Sequence, residues 1–394
     1  MDLRALIVEE IRRRGPISFS RYMELCLYHP EWGYYSRSKE QFGKAGDFYT
    51  ASDVHAIFGR LLARQFDEMW RALDAPARID ILELGPGRGL FAQDVLAWSK
   101  KKFPDFLAAL HYTLIERSPH LRSRLQERLA SLPAQSSSLV LNSSPAQNWA
   151  EKITIVGSLD ELAPTAENVI VFGNEFFDAL PVEVLDYKGE LRVAAEGNTL
   201  VETFAVPSPE VLEFADRYGI HPADGERTEA TLAGRNFMKR IVERVRRGFV
   251  VLIDYGYTRE ELLAGRSTST VRAFRQHAIS HTPYEAPGEQ DITAHVNFTA
   301  LREAGLAAGL EAGHLLTQAQ FLMGIGEPNQ FADVFDGAQL PQERAKVTLQ
   351  LKHLITPAGM GETFHVLVAS KGVDPHRVAG LSGLGFGKDR CQSQ

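Results

Sequence analysis

Cysteine is almost absent from this chain: its 394 residues hold only Cys26 and Cys391. Two thiols so far apart in sequence exclude a disulfide framework and a cysteine-rich metal site, and they fit a reducing compartment. No apolar run reaches the roughly 20 residues that a membrane-spanning helix needs. The amino-terminal stretch carries Glu9 and Glu10 and has no apolar core of the signal-peptide kind. A cytoplasmic protein without stable membrane insertion is therefore expected. Basic charge is also missing: the net charge is −7, and lysine and arginine are dispersed apart from short runs such as Arg12-Arg13-Arg14, so nucleic acid is not an expected partner. His277, His281 and His295 have no ligand-motif spacing, and no metal is expected.

What is present is enough apolar sequence for a large core, 44% hydrophobic against 24% charged, which suits one α/β domain carrying insertions. The organising stretch is Ile79 to Gly89. Ile79-Asp80-Ile81-Leu82-Glu83-Leu84 reads as a strand buried on both faces, and Gly85-Pro86-Gly87-Arg88-Gly89 as a turn that lets the backbone approach a ligand before a helix starts near Leu90. A phosphate-cradling loop would need Gly-Lys-Ser/Thr, which is absent, and a dinucleotide loop needs a small sixth residue, where Leu90 stands. The Gly-x-Gly-x-Gly spacing instead resembles motif I of class I S-adenosylmethionine-dependent methyltransferases. Glu83, Gly85, Pro86, Gly87 and Gly89 are accordingly cofactor candidates, against the simpler reading of a tight strand-to-helix turn.

In chain order, Leu3 to Arg13 and Arg21 to Tyr28 are helical and introduce two aromatic loops, His29 to Tyr35 and Phe42 to Ser52. Asp47 in the second loop is either a site residue or the side chain of an Asx turn. Tyr112 to Glu116 is a second strand. Its terminal carboxylate, Glu116, falls where a Rossmann-like sheet places its ribose ligand. A third strand at Ile153 to Val156 leads to Ser158-Leu159, positioned to read an adenine or, more plainly, to cap the next turn. The fourth, Val169 to Phe172, delivers Asn174-Glu175-Phe176-Phe177-Asp178 to the ligand edge; Asn174 is assigned to the cofactor side, and Glu175 and Asp178 to catalysis. Two carboxylates among aromatics are costly to bury without a cationic or hydrogen-bonded partner, which points to a substrate cation. A β insertion is expected at about 182–206, a fifth strand at Phe249 to Asp254, a cap insertion at about 258–300, and final strands at His314 to Thr317 and Thr363 to Ser370. The glycine-rich tail, 379–394, reads as flexible.

Tyr28-His29-Pro30-Glu31-Trp32-Gly33-Tyr34-Tyr35, Gly46-Asp47-Phe48-Tyr49-Thr50, the glycine loop, Asn174 to Pro181 and Asp291-Ile292-Thr293-Ala294-His295-Val296-Asn297-Phe298 together resemble the MidA family. These methyltransferases are related to the mitochondrial complex I assembly factor. The resemblance implies a class I fold with strand order 3-2-1-4-5-7-6 in residues 59–378, and a helical cap and aromatic loops in residues 1–58. It also implies S-adenosyl-L-methionine as cofactor, and arginine methylation of a protein partner such as a complex I subunit. Glu175, with Asp178 and Asp47 as further candidates, would orient the guanidinium. Lacking a transit peptide, the chain resembles a bacterial member. Two other readings are a chaperone-like assembly factor with a retained cofactor site and a small-molecule methyltransferase. Oligomeric state has no signature in the sequence.

Overall fold

Apolar residues on both faces of 79–84, 169–174 and 248–257 force these segments into the middle of a layered domain. In the computed structural model, which describes residues 2–36, 56–131, 152–163, 166–266, 269–275, 278–280 and 282–386, they form the centre of a mixed sheet. Its main strands are β1 (Ile79–Leu84), β2 (Leu110–Ile115), β3 (Ile153–Val156), β4 (Val169–Asn174), β5 (Gly248–Tyr257), β6 (Ala312–Thr317) and β7 (Phe364–Lys371), and Val296–Asn297 adds a short eighth beside β5. They lie in the order β3-β2-β1-β4-β5-β7-β6, with β7 antiparallel to β5 and β6 and the first five parallel. This is the order expected above.

The main helices are α1 (Leu3–Arg14), α2 (Phe19–Tyr28), α3 (Ala56–Ala72), α4 (Leu90–Lys102), α5 (Pro119–Ser131), α6 (Leu232–Arg244), α7 (Phe298–Ala307), α8 (Gln318–Gly326) and α9 (Pro341–Ile355). Strand alternation divides the sheet's side chains between two cores. Ile81, Ile170, Phe172 and Val251 pack with α3 and α4. Leu82, Leu84, Val171 and Leu252 pack with α6 and α7 on the opposite face. Helices α8 and α9 were not anticipated. Their start signals are in the sequence nonetheless: Thr317 and Gln320 form a capping box, and Pro341 stands in the first turn of α9 with Glu343 accepting from the Leu340 amide.

A third core stands over the carboxyl edge of the sheet. It joins Leu3, Ile7, Phe19 and Tyr22 of α1 and α2 to Val184, Leu191 and Val193 of the first insertion and to Ala273 and Ile292 of the second. The join is also a backbone pairing, because Ile17 and Ser18 add antiparallel to Val193 and Arg192. That sheet continues through Glu183–Asp186 to Arg227–Ala230, so the insertion runs well past the expected end near 206. Buried Glu229 then anchors the second insertion by accepting from the Thr270 amide (3.0 Å) and the Ser269 and Thr270 hydroxyls (both 2.9 Å).

Two boundaries differ from expectation for physical reasons. Strand β5 runs on to Tyr257 because Gly256 and Tyr257 pair with Val296 and Asn297; a Cβ on Gly256 would sit 2.1 Å from the Val296 carbonyl oxygen, which only glycine avoids. The tail is ordered at least to residue 386. Leu381 and Leu384 are buried, the Gly383 amide donates to Gln65 of α3 (2.9 Å) and that of Ser382 to Glu68 (2.9 Å). Each leucine contributes about 1.5–3 kcal/mol by leaving water, enough to overcome the flexibility that glycine confers.

Candidate functional site

The sheet register decides which residues meet. Leu84 pairs with Gly173 and Ile253 with Asn174, so β1, β4 and β5 end side by side and release their loops at one edge. There lies a cavity of about 660 Å³, large enough for a cofactor and part of an acceptor. Glu83, Gly85, Pro86, Gly87, Glu116, Asn174, Glu175 and Asp178, eight of the residues singled out from sequence, line it.

One half is built on the glycine loop. Gly85, Gly87 and Gly89 have φ of 60°, 51° and 72°, the left-handed region that side chains disfavour. At Gly85 a Cβ would also come within 2.8 Å of the Phe176 ring. The loop is therefore a bare backbone cradle. Glu83 at its entrance is buried and accepts from the Tyr112 hydroxyl (2.8 Å), and burial pushes its carboxyl up to about 7. Glu116 is buried at the end of β2, takes the Ser118 amide on one oxygen (2.8 Å), and is likewise raised to about 7 by burial. Two carboxyls held in a dry wall next to a cradle fit a ligand with an ammonium group and ribose hydroxyls.

The other half is a turn held by one side chain. Asp254, on β5 just past its last pairing with β4, accepts on Oδ2 the amides of Phe176 (3.1 Å), Phe177 (2.9 Å) and Asp178 (3.3 Å), and on Oδ1 that of Tyr255 (2.9 Å). Four backbone donors converging on one buried carboxylate fix the path of residues 175–178. Glu175 is thereby held at φ 51°, a conformation that costs a non-glycine residue about 1–3 kcal/mol and is characteristic of functional positions. Asp178, 6% exposed, accepts from the Tyr255 hydroxyl through Oδ2, while its buried Oδ1 has no hydrogen-bond partner among the described residues. Burial raises its carboxyl to about 6. The cap supplies the facing wall. Tyr35 donates to buried Asp291 (2.9 Å), Tyr28 donates to the Ala179 carbonyl (2.9 Å), and Arg117 lies 4.9 Å over the Tyr28 ring. His295, 5.4 Å from the Tyr255 ring, is pushed down to about 4 by desolvation and so is neutral.

Of the other four candidates, three stand off this wall. Gly89 is not on the cavity wall: it begins α4, and a Cβ there would meet Leu125 at 2.7 Å, so its glycine serves packing. Ser158 and Leu159 are also off the wall. The Ser158 hydroxyl caps the Asp160 amide (3.3 Å), and Leu159 is buried in the core under the sheet. Asp47 lies outside the described residues. Asp254 is absent from the sequence candidates, and Tyr28, Tyr35 and Asp291 stand there only within the family motifs, without a role; Asp254 carries a local signal, a lone carboxylate ending an otherwise apolar run.

The comparisons with known proteins identify the family and its cofactor. A family model described as that of an S-adenosyl-L-methionine-dependent methyltransferase matches residues 61–315. The chain is similar to a superfamily member from Burkholderia thailandensis whose crystal structure holds S-adenosyl-homocysteine. Identity is 31%, coverage is 94% of this chain and 92% of that one, and the TM-score is 0.78. It is also similar to the protein arginine methyltransferase NDUFAF7 homolog, mitochondrial, of Drosophila melanogaster (29% identical, 95% of this chain and 87% of the relative). A further relative is its Danio rerio counterpart (29%, 91% and 84%). These relatives are named as mitochondrial proteins, and that overturns the cytoplasmic location expected from the sequence.

Proposed function

From the premise that this chain belongs to that family of S-adenosyl-L-methionine-dependent methyltransferases, we propose that it methylates arginine side chains of a protein, with a respiratory complex I subunit as the acceptor that the MidA resemblance implies. The observation carrying this reading is the acceptor half of the cavity. Three carboxylates, Glu175, Asp178 and Asp291, line a wall shared with Tyr28, Tyr35 and Tyr255. Such a wall suits a flat, delocalised cation whose faces stack on rings and whose N–H groups pair with carboxylates.

The division of labour follows from the two halves. The backbone of Gly85 to Gly87, with Glu83 and Glu116, would hold the cofactor, and Asn174 stands at the junction. When bound, S-adenosyl-L-methionine supplies a methyl group activated by a sulfonium. Glu175 aligns the attacking nitrogen and withdraws hydrogen-bonded positive charge from it, while the ring-lined walls exclude water. The test is to incubate the protein with methyl-labelled cofactor and an extract of cells lacking the gene, then map the label by mass spectrometry. Label on arginine nitrogen is expected. Label only on lysine, on a hydroxyl or on a small metabolite would overturn the reading.

A further inference from the structure

Methyl transfer to a guanidinium leaves one proton too many. The acceptor enters with one positive charge and leaves with one, whereas the donor loses its sulfonium charge, so a proton must depart. The carboxylate that aligns the nitrogen need not take it.

Resting on the arginine reading, we infer that Asp178 is the proton acceptor of the reaction and that Tyr255 is the positioning residue that holds it and moderates its basicity. Asp178 is buried in the cavity wall with Oδ2 occupied by the Tyr255 hydroxyl; Oδ1 makes no full hydrogen bond among the described residues, although the Asp178 and Ala179 amides lie near the carboxylate and lower its basicity, so a single oxygen is left to receive. An unpaired buried carboxylate oxygen is costly unless a ligand completes it. The neighbouring turn makes the placement deliberate, because Asp254 binds the amide of Asp178 itself and of the two residues before it. The groups that face Asp178 are Tyr255 and Asp254 of β5, Tyr28 of α2, Tyr35, and Glu175 on its own turn, with Asp291 and His295 on the insertion wall. Desolvation lowers His295 to about 4, which makes it a weaker base than Asp178 at about 6, and Tyr28 and Tyr35 hold their protons far above the physiological range, leaving the carboxylates as receivers.

In the step, a guanidinium nitrogen bonds to the methyl carbon as the carbon–sulfur bond breaks with its electron pair left on sulfur. The N–H proton of that nitrogen passes to Asp178 Oδ1, and from there to solvent on product release. Retained, it would leave a dication, so a carboxylate of only modest basicity suffices.

The experiment measures single-turnover formation of methylarginine against pH, with labelled cofactor and an extract of cells lacking the gene. Binding of S-adenosyl-homocysteine by calorimetry is read in parallel. Asp178→Asn should bind the cofactor product as the wild type does, yet form methylarginine about a hundredfold more slowly and lose the acidic limb of the profile. In Tyr255→Phe the donor that lowers Asp178's basicity is gone, so the acidic limb should move to higher pH by about one unit at unchanged affinity. Wild-type rate and profile in Asp178→Asn would overturn the inference and leave arginine methylation standing. If Asp178→Asn does not fold, an unmoved limb in Tyr255→Phe overturns it equally. Label on another residue type with the wild-type protein would bring down the arginine reading and this inference together.

Discussion

The two halves of the cavity are made in opposite ways. The cofactor half comes from neighbouring strands and the backbone that follows them, Glu83 to Arg88 after β1 and Glu116 to Ser118 after β2. The acceptor half gathers side chains from distant segments: Tyr28 and Tyr35 of the cap, Glu175 and Asp178 after β4, Tyr255 of β5, Asp291 and His295 of the insertion. Backbone recognition depends on the fold alone. Side-chain recognition depends on every element that carries one, and here the cap core is what brings those elements together.

If the halves are as separable as their construction implies, single changes should disable one and spare the other. The largest effect is expected from Gly85→Val. A branched side chain there faces a φ of 60° and the Phe176 ring at 2.8 Å, so S-adenosyl-L-methionine binding should vanish while the circular dichroism spectrum is kept. Unchanged affinity in calorimetry would reduce the loop to a turn. Glu175→Gln should do the reverse. Cofactor affinity survives, and methyl transfer falls about a hundredfold or more, about 3 kcal/mol of transition-state stabilisation; full activity on a mapped arginine would remove Glu175 from the mechanism.

Asp254→Asn tests whether the acceptor half has its own stability. An amide in place of a carboxylate cannot accept four backbone donors, so urea denaturation should report a loss of roughly 2–3 kcal/mol. Cofactor affinity should stay within about threefold, because the glycine loop rests on β1. A variant that lost cofactor binding first would show the halves to be one unit.

The smallest effect is a pH dependence shared between them. Burial raises Glu83 and Glu116 from 4.5 to about 7 and Asp178 from 3.8 to about 6. The folded protein therefore binds these protons more tightly than the unfolded chain, and their contribution is complete below the unfolded values and lost as pH rises through 6 to 7. Melting of the ligand-free protein should move down by a few degrees between pH 5 and pH 8. The protection given by S-adenosyl-L-methionine, whose ammonium would satisfy the cofactor-side carboxylates, should grow over the same range. A melting temperature flat across that window would mean that these carboxyls are solvated.

The same contrast explains what could be read in the sequence. The places of Glu83, Gly85, Gly87 and Glu116 on the cavity wall were legible because strand, glycine turn and helix are local, and local geometry requires those residue types at that spacing. The seven-strand order was legible through the family resemblance that these and the later motifs carry. Asp291 and Tyr35 were not, since a hydrogen bond between them spans 256 positions and no local pattern records it. Ser158 and Leu159 stand off the cavity wall, and capping and core packing use the same residue types as adenine recognition. The order of residues 379–386 was hidden because glycine content masks the two buried leucines, Leu381 and Leu384.

The pairing of the amino terminus with the insertions has a consequence in time. Tyr22 finds the Pro283 carbonyl across 261 residues of chain, and Arg4 reaches Tyr284 across 280. At a synthesis rate of roughly 5–20 residues per second, the first two helices emerge roughly 13–50 s before their partners exist. Until Val184, Leu191 and Val193 are made, Leu3, Ile7, Phe19 and Tyr22 lack the first insertion's side of their core, and until the second insertion follows that core stays incomplete, so the nascent chain presents a sticky amphipathic hairpin long before the catalytic sheet is complete. Delayed synthesis or a missing chaperone should therefore harm this protein through its first thirty residues, although the chemistry resides elsewhere.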